Sequence, residues 1–132
     1  MDKDELYELA KEKGYKIVRF PLPATRSLSV CKDGKCCIGL DTEIHGIEEL
    51  IKLAHEYAHC ETGTFYQEDS DWITKAKCEY KANKWMYQHL VPFEELLKAV
   101  HSGITNVWDL ADYFGISQEI MEKAINNYFG RD

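Results

Sequence analysis

The sequence predicts an α+β fold, with a small three-stranded antiparallel or mixed sheet packed on a bundle of helices. Two observations carry that expectation. Three short β-rich runs, 15–20, 26–31 and 36–40, fall in the first third of the chain, the last two flanking an Asp33-Gly34 turn. Beyond residue 45 the apolar residues recur every three or four positions, the helical period.

Residues 2–13 read as a polar helix with Leu6, Leu9 and Ala10 on one side, ended by Gly14, and packing is its expected role. The run 15–20 is closed by Pro21-Leu22-Pro23. In the hairpin the Asp-Gly turn sets Cys31 directly opposite Cys36, a pair able to bridge if oxidised. There are five cysteines, an odd number, and no Cys-x-x-Cys pair. Reduced thiols are therefore expected, not a disulfide framework or a ribbon-type zinc site.

Residues 46–61 form one amphipathic helix with the stripe Ile47, Leu50, Ile51, Ala54 and Ala58, and Gly63 as its stop signal. It carries His55-Glu56-Tyr57-Ala58-His59. Four residues of helix advance about 40° beyond one full turn, so His55 and His59 stack on one face and their imidazoles can converge on one ion. Two nitrogens at that spacing suit zinc. Glu56 lies about 100° round the helix from His55, off the ion but within reach of a water on it. That is a general base's position. The two histidines fall at the edge of the buried stripe, where imidazoles need partners, and this sets them apart from a chance surface pair.

A catalytic zinc takes three protein ligands and a water, and Glu79 is the best candidate for the third. In the segment 72–90, Trp72, Ala76, Glu79, Asn83, Met86 and Leu90 form one helical stripe, four of them apolar. Such a stripe turns Glu79 and Asn83 inward, where an unpaired carboxylate is costly and metal ligation relieves it. The competing stripe, Ile73, Ala76, Tyr80 and Tyr87, leaves Glu79 nearer solvent. Between the two helices, residues 62–71 form a loop at the mouth of the site, where Phe65 and Tyr66 either contact substrate or anchor the loop. Tyr57, Tyr66 and Tyr80 are all candidates to stabilise an oxyanion. His45, His89 and His101 have no partner spacing and read as helix-terminal residues.

After Pro92 the chain reads as short helices, 93–101, 106–114 and 117–128. The stretch 109–117 has the Ala, Gly and Ile spacing of a DNA-reading helix-turn-helix. Charge argues against that use. From 104 to 132, Lys123 and Arg131 face Asp109, Asp112, Glu119, Glu122 and Asp132, and a phosphate-binding element is not net acidic. The whole chain of 132 residues carries −7, which disfavours nucleic-acid and anionic-membrane binding. It has no membrane-length apolar run and no apolar signal core behind Met1-Asp2-Lys3-Asp4-Glu5, so a cytoplasmic location is expected. The length fits a single domain: helix and sheet over 1–45, two metal-site helices over 46–91, and C-terminal helices over 92–132.

His55-Glu56-x-x-His59, followed by Glu79-Tyr80-Lys81-Ala82-Asn83 and then Leu90-Val91-Pro92, resembles the ImmA/IrrE family of metallopeptidases. The resemblance runs through most of the chain. It implies His55, His59 and Glu79 as zinc ligands and Glu56 as the base; the fold expected is zincin-like, with Asn83 acting from behind the ligands. It further implies a chain encoded on a phage or mobile element of a bacterium, cleaving a helix-turn-helix repressor to release gene expression. The alternative is a metal-containing regulator that binds a repressor or other protein partner without cutting it. Cys60, next to His59, and Cys78, next to Glu79, depart from the family pattern and bring two thiols into possible range of the ion.

Overall fold

The protein is described here by a computed structural model covering residues 1–130. Its elements are α1 (Lys3–Lys13), β1 (Lys16–Arg19), β2 (Ser27–Lys32), β3 (Lys35–Leu40), α2 (Gly46–Thr62), α3 (Trp72–Leu90), α4 (Phe93–His101), α5 (Val107–Phe114) and α6 (Gln118–Phe129). The fold is α+β. Helix starts are set locally: Asp2, Asp71, Asn106 and Ser117 each accept the backbone N–H three residues on. Arg131 and Asp132 lie outside the described residues.

Asp33 (φ 54°) and Gly34 (φ 75°) are both left-handed, the geometry a two-residue hairpin needs to match strand twist. The register pairs Lys32 with Lys35 and Cys31 with Cys36. All five cysteines are free thiols. The strand order is β1-β3-β2, with β1 parallel and β2 antiparallel to β3, so the sheet is mixed. β3 is the central strand, buried over most of its length, and Gly39 sits where the Phe20 ring crosses it; a Cβ there would come within 3.0 Å of two ring carbons.

The core joins Ile38 and Leu40 of β3 to Leu53, Ala54, Tyr57 and Ala58 of α2, Leu6 and Ala10 of α1, and Ala82, Met86 and Leu90 of α3. Two stripe expectations need correction. On α2, Ile47 is 48% exposed while Leu53 and Tyr57 are buried, because sheet and α3 cover different flanks of the helix and widen its buried face. On α3, Trp72 is 77% and Tyr80 60% exposed, and Ile73 and Ala76 also face solvent. Its first two turns carry no buried residue, so neither predicted stripe is buried throughout; burial on the Glu79 side begins at Ala82. No helix among the described residues is long and apolar enough to cross a membrane.

One polar cluster ties the N-terminal third to the start of α2. Buried Glu49 accepts from Tyr7 Oη (2.6 Å), Lys3 Nζ (3.1 Å) and Arg19 Nη2 (2.6 Å), and Arg19 also donates to the carbonyls of Asp41 and Ile44. Burial alone would raise the Glu49 pKa, but the Tyr7 hydroxyl and the two cations outweigh it, and the net direction is below the ordinary 4.5. A carboxyl lowered in the folded state contributes stability above its unfolded pKa and loses it as pH falls through the folded one. Arg19→Ala is therefore expected to cost about 2 kcal/mol at neutral pH, between an exposed and a buried pair. The deficit shrinks once Glu49 protonates. Urea titrations of both proteins at neutral pH and below the carboxylate range check it.

Candidate metal centre

α2 crosses the sheet on the side of β2, and α3 runs along its other flank. Between them, β2 with the residue Thr25 before it, and the loop after α2, lies a cavity of about 390 Å³ whose walls include His55, Glu56, His59 and Glu79. His55 Nε2 and His59 Nε2 are 3.2 Å apart. Glu79 Oε1 lies 3.3 Å from the first and Oε2 2.6 Å from the second. These three residues are the group among the described residues able to offer ligand atoms to one metal ion.

The turn that ends α2 fixes the state of His59. Gly63 takes the left-handed conformation (φ 67°), and the chain folds back so that His59 Nδ1 lies 2.7 Å from the Thr64 carbonyl. A carbonyl only accepts, so Nδ1 carries the hydrogen and Nε2 of the neutral ring presents a lone pair to the cavity. Glu79 Oε2 is likewise a buried acceptor that receives no well-aligned hydrogen bond. Protonated rings would pair with the carboxylate: that pairing holds Glu79 down to about 2 and, against the opposing effect of burial, raises His59. It would also face two positive rings 3.2 Å apart. A single divalent cation at the shared point satisfies all three acceptors at once.

Glu56 is buried on the β2 side of α2, with both carboxylate oxygens already engaged. Ser27 Oγ donates to Oε2 (2.7 Å) and Ser29 Oγ to Oε1 (2.6 Å). Sequence reading passed over both serines. The available signal was the alternation Ser27-Leu28-Ser29, which puts two small hydroxyls on the helix-facing side of a strand where each needs an acceptor. Thr64 was missed too, and nothing in the sequence marked its carbonyl.

Residues 10–126 match the family model of the IrrE N-terminal-like domain, a peptidase family. The chain belongs to that family. No curated protein matches it. Membership in the IrrE N-terminal-like family supports a metallopeptidase-type function and, with it, a protein substrate.

The remaining sequence candidates sort by place. Tyr66 lines the cavity, with its ring centre 6.4 Å from that of His59. Tyr57 is buried and donates to Glu61 away from the site, and Tyr80 faces solvent on the outer side of α3. Phe65 also lines the cavity. The two thiols do not reach the metal group: Cys60 is buried beside Cys36, and Cys78 Sγ faces the Phe65 carbonyl at 3.9 Å. Helix rotation explains Cys60, which points about 100° away from its neighbour His59. Asn83 is half-buried on an adjoining groove, not in the cavity itself. His45 precedes α2, His101 ends α4, and His89 stacks on Trp85 with ring centres 3.7 Å apart.

Proposed function

We propose that this IrrE N-terminal-like domain is a zinc-dependent endopeptidase, with His55, His59 and Glu79 holding the ion and Glu56 acting as general base. The carrying observation is the convergence of three acceptor atoms on one point of a cavity that also contains a separately held carboxylate. Tetrahedral zinc with ligands at about 2.0–2.1 Å places neighbouring ligand atoms about 3.3 Å apart. The separations of 3.2 and 3.3 Å fit that requirement, and the third, 2.6 Å between His59 and Glu79, is shorter than it. When bound, zinc supplies Lewis-acid polarisation of the scissile carbonyl and acidifies the attacking water.

The protein's own groups do the rest. Ser27 and Ser29 hold the Glu56 carboxylate in one orientation, from which it takes the proton of the water and returns it to the leaving amine. Tyr66 is the remaining candidate to donate to the developing oxyanion. Its pKa is raised by burial and by the Glu79 and Glu56 charges, so its hydroxyl keeps its proton at neutral pH. Among the described residues β2 pairs only with β3, which leaves its outer edge to hold a peptide as an added strand beside the cavity. Asn83 acts from the adjoining groove, which His55 also lines. Tyr66→Phe is expected to lower kcat about 10²-fold with little change in KM, read from steady-state peptide hydrolysis.

The proposed substrate is a helix-turn-helix repressor in the cytoplasm of a bacterial host of a phage or mobile element, an assignment that rests on the motif resemblance. Co-expression of the chain with helix-turn-helix repressors of phages and mobile elements tests this. Cleavage by wild type and none by Glu56→Gln is the expected result. An intact repressor that still copurifies with the wild-type chain would replace this reading with that of a non-cleaving regulator.

A further inference from the structure

A second concavity, of about 460 Å³, opens beside the metal cavity and shares Lys52 and His55 with it. Three helices build it. Ile51 of α2, Met86 and Tyr87 of α3 and Ile120 of α6 form an apolar floor, and Ile47, unexpectedly exposed at 48%, stands at its lip. A volume of this size lies within the range of specific ligand sites. Apart from His55 and Asn83, the mechanism described above uses none of this surface.

We infer that this groove is a specificity subsite of the same active site, taking a large uncharged apolar side chain next to the scissile bond. The inference rests on the peptidase reading for its occupant. Continuity is the first reason: the two concavities meet at Lys52 and His55, so the groove is the apolar space adjoining a carbonyl bound at the His55 side of the metal cavity. Charge is the second. The rim groups Glu119 and Lys123 pair with each other at 3.0 Å, and Glu48 is held by Arg26. Lys52 makes no ion pair among the described residues and stands where the two cavities meet. A basic side chain entering the groove meets that unpaired cation and finds no free carboxylate, so Lys and Arg are rejected. An Ala side chain leaves the floor wet and gains little. Asn83 makes no side-chain hydrogen bond among the described residues, and its amide, on the wall beside His55, is free to take a backbone group of the bound peptide.

Three methionines make the test direct, because Met86 lies in the floor and its methyl group reports occupancy. The probes are capped pentapeptides differing only in a central Phe, Leu, Ala or Lys, added to zinc-loaded Glu56→Gln protein so that hydrolysis does not consume them. The Met86 methyl resonance, assigned with Met86→Leu, is expected to shift saturably with Phe and Leu, about tenfold or more tighter than with Ala, and not with Lys. Ile120→Trp, which fills the groove from the half-buried α6 side of its floor, should abolish the response; Ile47→Trp does the same from a more exposed position if the first variant fails to fold. Equal responses to Phe and Ala, or a silent Met86 at peptide saturation, overturn the subsite. Hydrolysis of the same peptides by wild type is scored separately. A responsive Met86 with every peptide left intact keeps the groove as a site for an apolar peptide side chain and removes the peptidase reading, whereas unselective hydrolysis with a silent Met86 overturns the subsite and keeps the peptidase reading.

Discussion

Glu56→Gln is expected to lower peptide hydrolysis by about 10³–10⁴-fold while leaving fold and bound metal in place. The substitution keeps shape and hydrogen-bonding capacity. Ser27 Oγ and Ser29 Oγ, at 2.7 and 2.6 Å from the carboxylate, can each turn to donate to the amide oxygen or accept from its nitrogen. What the amide cannot do is take a proton from water. The expected signature is a fall in kcat with KM nearly unchanged, unaltered zinc content and an unaltered unfolding midpoint. A variant retaining a tenth or more of wild-type turnover would remove Glu56 from the base role. Lost zinc or a lowered midpoint would instead make the buried Glu56 a structural partner of β2.

Removing a proposed ligand should have the second large effect, and the two variants differ in an informative way. Wild type purified under chelator-free conditions is expected to hold about one zinc per chain, and both His59→Ala and Glu79→Ala essentially none. His59 is buried and donates to Thr64, so His59→Ala also leaves the Thr64 carbonyl without its donor and should destabilise the metal-free protein by about 2 kcal/mol. The Glu79 side chain is 38% exposed and has no such structural partner, so Glu79→Ala is the cleaner variant. For wild type, zinc at about a hundred times its Kd adds about 2.7 kcal/mol to the unfolding free energy, and a chelator removes that increment. Thermal unfolding with and without zinc should show the increment in wild type and not in Glu79→Ala. A zinc-dependent rise that survives Glu79→Ala would place the third ligand elsewhere.

The parts of this protein legible in its sequence are those set within one segment. Helical period and spacing put His55 and His59 on one face of α2, Gly63 marked its end, and Asp33-Gly34 set the hairpin register, because each depends on neighbours a few residues away. The choice of Glu79 rested on a stripe that is not buried throughout, and its side chain is 38% exposed; what brings it to the site is the approach of its carboxylate to both imidazoles, at 3.3 and 2.6 Å. The clamp on Glu56 was of another kind. Its serines lie 29 and 27 residues earlier, and they meet the carboxylate only because β3 takes the centre of the sheet and leaves β2 beside α2. Tertiary structure also separated three equivalent tyrosines into one in the cavity and two outside it, turned Cys60 and Cys78 away from the metal group, left the first turns of α3 bare, and set Ile47 at the lip of a second groove. Periodicity states which residues share a face. Which surface that face meets is decided by strand order and helix placement, and these are properties of contacts between distant segments.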